Sequence, residues 1–183
     1  MPLNIDYSWT LFLDRDGVLN KEKNNDYIYN WDEFIFYNGV LEAMQIFEPL
    51  FHKIIIVTNQ KGVSKGLMTQ ENLDDIHHKL KIEVKKNKGR IDAIYSCTDL
   101  NNDSLNRKPN IGMALQAKHE FPNIELSKSI MVGNKLSDME FGRNAGMTTI
   151  FVATTHRETA FPHNYIDYRF NSLFEFAKAL KNS

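Results

Sequence analysis

Cysteine occurs once in the 183 residues, at Cys97, so no intramolecular disulfide can form. A reducing compartment suits such a chain. No apolar run approaches the roughly 18 residues needed to span a bilayer. Charge of one sign is not in excess, since 22 Lys and Arg face 23 Asp and Glu for a formal net charge of -1. That balance removes any general attraction to nucleic acid or to an anionic membrane, so an anion site has to be local. Neither the 9 glycines nor the 5 prolines gather into a linker, and no repeat or low-complexity tract divides the chain. One domain over residues 1–183 is expected. The opening Met1-Pro2-Leu3-Asn4-Ile5-Asp6 lacks the basic and apolar segments of a secretory signal. The expectation is a cytoplasmic monomer with neither a membrane nor a nucleic-acid partner.

What is present is an ordinary globular composition, 42% hydrophobic and 25% charged. Apolar, β-rich runs recur at Trp9 to Leu13, Lys53 to Thr58, Ile91 to Cys97, Ser129 to Val132 and Thr148 to Val152. The segments between the later runs carry helical spacing. This alternation predicts an α/β fold, a parallel sheet covered by helices. The first helix is expected from Val40 to near Pro49, and the second from an N-cap at Thr69, with Leu73, Ile76, Leu80 and Val84 inward before Gly89. Three more are expected at Ile111 to Phe121, Leu136 to Ala145 and Ser172 to Leu180.

Polar motifs follow four of the strands. Asp14-Arg15-Asp16-Gly17 comes directly after Leu11-Phe12-Leu13, where an open α/β sheet presents its ligand crevice. Two acids there invite metal binding and nucleophilic chemistry, and a solvated Asp-Gly turn is the plain alternative. Thr58-Asn59-Gln60 ends the second run and is followed by Lys61-Gly62-Val63-Ser64-Lys65-Gly66, a loop suited to phosphate oxygens or simply a polar connection. Arg107-Lys108-Pro109 precedes a helix N-terminus, where dipole and unpaired amides add to two cations. Val132-Gly133-Asn134-Lys135-Leu136-Ser137-Asp138 supplies a third acid within one helical turn of the sheet edge. Other signals carry less. The aromatics Tyr27, Tyr29, Trp31, Phe34, Phe36 and Tyr37 read as packing. The basic run Lys79, Lys81, Lys85, Lys86, Lys88 and Arg90 reads as a solvated face. His77-His78 has no partner four residues away for a metal role, and Cys97 reads as a small core residue.

In order and placement the four motifs resemble those of the haloacid dehalogenase superfamily, and in detail its D,D-heptose 1,7-bisphosphate phosphatase and histidinol-phosphatase branch. The resemblance covers Trp9 to Leu180. It implies a three-layer Rossmann-like fold without a separate cap, and a Mg²⁺-dependent phosphatase for a small phosphosugar. Asp14 would be the nucleophile, Asp16 the proton shuttle, and Thr58 and Lys108 the grips on the transferring phosphoryl group. Asn59, Gln60, Arg107 and Lys135 would contact substrate, with Arg107 on a second phosphate. Asp14, the Asp16 carbonyl, Asn134 and Asp138 would hold the metal. Most members of the branch carry Asp where this chain has Asn134, so weaker metal affinity with retained activity is expected. The branch often carries a zinc loop, but in the corresponding segment Cys97 to Asn106 only Cys97 remains, and no zinc is expected. Heptose 1,7-bisphosphate is the leading substrate. Histidinol phosphate, a polynucleotide 3′-phosphate end and a non-catalytic phosphosugar-binding role remain as alternatives.

Overall fold

The computed structural model describes residues 4–181, so Met1-Pro2-Leu3 of the opening segment lie outside the described residues. Six parallel strands form one sheet in the order β3-β2-β1-β4-β5-β6. They are β1 (Thr10–Leu13), β2 (Lys53–Asn59), β3 (Ala93–Cys97), β4 (Ser129–Gly133), β5 (Thr148–Val152) and β6 (Tyr168–Phe170). The first five occupy the expected apolar runs. The sixth was not foreseen from the sequence, because it is three half-buried residues with Arg169 in the middle, paired only to β5. Pairing the central strands leaves both sheet faces to be covered, so successive residues of β1 enter opposite cores. Leu11 and Leu13 pack with α1 (Val40–Phe47), α2 (Gln70–Lys86) and α5 (Leu173–Lys181), while Phe12 packs with α3 (Gly112–Glu120) and α4 (Leu136–Asn144). No further folded unit is inserted among the described residues.

Local chemistry accounts for the helix boundaries. Thr69 caps α2 by accepting from the Asn72 amide at 3.1 Å, and the Asn72 side chain answers the Thr69 amide at 3.0 Å. Leu73, Ile76, Leu80 and Val84 are its buried stripe. The basic run in and after this helix divides. Lys79 and Lys86 pair locally with Asp75 and Glu83, whereas Arg90 donates to the Glu48, Phe51 and His52 carbonyls and to Asp92. Arg90 therefore ties the turn before β2 to the entry of β3. Trp31, Phe34 and Phe36 form the expected aromatic packing, with Trp31 stacked on Phe34 at 5.0 Å. Among the described residues no helix is long and apolar enough to cross a membrane.

Candidate active site

Neighbouring strands β1 and β4 lead to crossovers on opposite sides, which makes their carboxyl ends the switch point of the sheet. Asp14 continues the ladder from β1, its amide donating to the Val132 carbonyl at 2.9 Å. The chain then turns sharply through Gly17, at φ +87°, and back to Asn20. A side chain at Gly17 is excluded twice, since the left-handed backbone disfavours it and a Cβ would lie 2.0 Å from Asn134 Nδ2. This close approach joins the loop after β1 to the loop after β4.

Lys108 is the hub. Its Nζ donates to Asp14 Oδ1 at 2.8 Å and to the Val57 carbonyl at 2.8 Å, and lies 2.7 Å from Asp138 Oδ1. The other Asp138 oxygen accepts the Asn134 and Lys135 amides at 3.2 and 3.0 Å, capping α4. One ammonium thus faces two carboxylates in a buried cluster. Burial pushes Asp14 up to about 7, with Asp138 adding to the effect and Lys108 opposing it. For Lys108 burial works against the charge, but Asp138 and Asp14 outweigh it and raise its pKa.

Asp16 has the opposite electrostatics. Burial alone would raise it, yet Arg15, Asn20 and Gln60 hold it below the usual carboxylate range. Arg15 Nη2 reaches both Asp16 oxygens at 3.1 and 3.0 Å, Asn20 Nδ2 donates at 2.9 Å and Gln60 Nε2 at 2.7 Å. Gln60 also donates to Thr58 Oγ1 at 2.9 Å and is 1% exposed. It lies under the site and supports Asp16 and Thr58. Asn59 grips the Lys108 backbone from both sides, donating to its carbonyl at 3.2 Å and accepting its amide at 3.1 Å.

Above these groups opens a cleft of about 990 Å³ lined by Asp14, Asp16, Thr58, Asn59, Lys108 and Asp138, with Arg107 and Lys135 on its wall. Its far sides are residues 22–28 with His156, Glu158 and Thr159. Arg107 Nη1 is buried without a partner, while Lys135 Nζ is paired with Glu22 at 2.7 Å.

Residues 6–172 match the polynucleotide kinase 3 phosphatase family. The D-glycero-alpha-D-manno-heptose-1,7-bisphosphate 7-phosphatase of Mycobacterium bovis is 34% identical over 95% of this chain and 92% of its own. The beta-heptose counterpart of Salmonella typhi is 31% identical over 93% of this chain and 94% of its own. The crystal structure of D,D-heptose 1,7-bisphosphate phosphatase from B. bronchiseptica, complexed with magnesium and phosphate, superposes with a TM-score of 0.84. It is 26% identical and covers 94% of this chain and 98% of that one. The chain belongs to the heptose-bisphosphatase branch of the haloacid dehalogenase phosphatases.

The B. bronchiseptica structure is complexed with magnesium, so the fit of these residues to a hard cation matters. Among the described residues no three His, Cys, Asp or Glu side chains form a metal cage. Mg²⁺ does not require one, because it keeps several waters and takes one or two carboxylates plus substrate oxygens. Asn134 is fully buried, and its Nδ2 is held by Thr155 Oγ1 at 2.7 Å and faces Glu22 Oε1 at 3.5 Å. A carboxylate can only accept, so this contact fixes the amide nitrogen toward Glu22 and leaves Oδ1 as the atom without a partner. That orphaned oxygen, beside a buried cluster with one surplus negative charge, fits an oxygen-seeking cation. Thr155 and Arg15 had no role in the sequence reading. In the loop expected to lack zinc, Cys97 is buried against Asp99 and Ser104.

Proposed function

We propose that this phosphatase is a Mg²⁺-dependent phosphomonoester hydrolase that removes the 7-phosphate of a D-glycero-D-manno-heptose 1,7-bisphosphate through a phosphorylated Asp14. The observation that carries the reading is the Asp14–Lys108–Asp138 cluster at the sheet's switch point, open to a cleft with Thr58 beside it. An Asp14 oxygen forms a bond to phosphorus as the bond from phosphorus to the sugar oxygen breaks, and that oxygen takes a proton from Asp16. Water then attacks the aspartyl phosphate, gives its proton to Asp16, and releases phosphate and free Asp14. In the free protein Asp16 is the ionised acceptor that the second step uses. An arriving phosphate adds negative charge beside it and favours the protonated form that the first step uses. The Lys108 ammonium and the Thr58 hydroxyl hold equatorial phosphoryl oxygens, the positioning on which phosphoryl transfer chiefly depends. Asp14, the Asp16 carbonyl, Asn134 and Asp138 would hold Mg²⁺, which when bound offsets repulsion between carboxylate and phosphate. Arg107, on the cleft wall, receives the second phosphate.

Purified protein assayed against heptose 1,7-bisphosphate, histidinol phosphate and a 3′-phosphorylated oligonucleotide, with Mg²⁺ or EDTA, tests the reading. One equivalent of phosphate from the bisphosphate is expected, lost in EDTA and in Asp14→Asn. Binding of the bisphosphate with no turnover of any substrate would instead establish a non-catalytic phosphosugar-binding protein. Preferred cleavage of the oligonucleotide would transfer the site to nucleic-acid ends.

A further inference from the structure

Arg15 heads the fully buried side chains, with no exposed surface, and it sits between the two acids of the first motif. A buried guanidinium is costly unless its donors are met and its charge is paired. Asp16 pairs the charge, but through one nitrogen only, since Nη2 makes both contacts. A carboxylate held by a single nitrogen leaves the guanidinium plane able to pivot, unlike a two-nitrogen fork. Nε is buried without a partner, and Phe34 offers only its ring face, 6.0 Å from Cζ. The second fixed point comes from α2: His77 Nε2 lies 3.2 Å from Arg15 Nη1.

Arginine can only donate, so Nε2 accepts and the ring is neutral with its proton on Nδ1. Burial, followed by the Arg15 charge, pushes the His77 pKa down to about 3, against a smaller opposing pull from Asp16. The contact therefore persists through the neutral pH range. His77 is next to Ile76 and four residues after Leu73, so the packing of the α2 stripe sets where its Nε2 sits.

We propose that His77 is a positioning residue for Asp16: it pins the Arg15 guanidinium, which holds the carboxylate where a proton must be passed. The inference rests on the proton-shuttle role proposed for Asp16. Three substitutions separate it from a packing role. His77→Phe removes the acceptor, His77→Gln restores an oxygen near the Nε2 position, and His77→Asn places an oxygen too short to reach.

With the heptose bisphosphate, kcat should fall roughly 10- to 100-fold in His77→Phe and His77→Asn, part of the 10²–10⁴ that general acid–base catalysis supplies. KM should stay within about twofold, because the phosphate grips are untouched. His77→Gln should recover most of kcat. p-Nitrophenyl phosphate gives the sharper readout, since nitrophenolate departs without a proton. The variants should show a rapid burst of nitrophenol followed by a slow steady state, as the water step alone is impaired. A burst phase slowed as much as the sugar-phosphate reaction, or His77→Gln no better than His77→Asn, would overturn the proposal. Should His77→Phe fail to fold, the Gln and Asn pair decides. Nitrogen-15 NMR of the Arg15 side chain is independent of turnover. Separate, slowly averaging Nη signals are expected in the wild type and His77→Gln, and averaged signals in His77→Asn. Averaged signals in the wild type would refute the clamp, whereas a clamp without turnover on any phosphate would refute only the proposed function.

Discussion

Replacing Asp14 with Asn should remove turnover and yet stabilise the metal-free protein above neutral pH. The wild-type cluster buries two carboxylates against one ammonium, and burial raises Asp14 from its ordinary 3.8 to about 7. The unfolded chain loses this proton near 3.8 while the folded chain keeps it until about 7. A folded-state pKa above the unfolded one means stability that is full at low pH and is lost as pH rises through the folded value. At about 1.4 kcal/mol per pH unit, the interval sets an upper bound of roughly 4 kcal/mol, to which Asn is immune. The Asn variant should therefore match the wild type near pH 4 and gain on it up to about pH 7. Above that its lead should level at 1–4 kcal/mol, or about 2–4 °C per kcal/mol for a chain of this size. Thermal unfolding in EDTA from pH 4 to 9 measures it. A Tm difference that does not vary with pH, or an Asn variant less stable at pH 8.5, would refute the charge argument. Added Mg²⁺ should raise the Tm of the wild type, by linkage, and leave the variant nearly unmoved.

Asn134→Asp should bind Mg²⁺ about tenfold more tightly by calorimetry, about 1.4 kcal/mol, and lower the metal-free Tm at pH 8 by adding a buried negative charge. An unchanged Mg²⁺ titration would remove Asn134 from the metal's surroundings. Lys108→Met leaves Asp14 and Asp138 facing each other without a cation. Urea unfolding should show a loss of about 3–5 kcal/mol at pH 8 that shrinks at pH 5 as the carboxylates protonate. Gly17→Ala combines a left-handed backbone with a clash on Asn134, and the same urea measurement should show a loss of about 3 kcal/mol.

Much of this architecture can be read from the chain because its central strands are buried on both faces. Their runs are nearly continuous apolar blocks that end abruptly in polar residues. Asp14, Thr58 and Asp138 converge because each ends such a block or opens the helix that follows, whereas Lys108, well beyond β3 and short of α3, is brought in by Asn59 at the end of β2. The edge strand Tyr168–Phe170 escaped because only one neighbour shapes it and its residues stay half exposed. The supporting groups escaped for another reason. Arg15 and His77 are 62 residues apart, and Asn134 and Glu22 are 112 apart, and no local periodicity encodes such pairs. His77 did leave a trace, as a polar residue adjoining the apolar stripe of α2.

The grip of Asn59 on both backbone groups of Lys108 divides the chain into parts that can change separately. Lys108 takes its position from β2 next door, while residues 98–106 steady the backbone on either side of it, the Ser104 carbonyl accepting the Arg107 amide at 3.0 Å and the Leu105 carbonyl the Gly112 amide at 2.8 Å. The ammonium thus answers to the sheet, whereas the far wall of the cleft, residues 22–28, belongs to the connection after β1 and is the segment to graft when a new phosphoester is wanted.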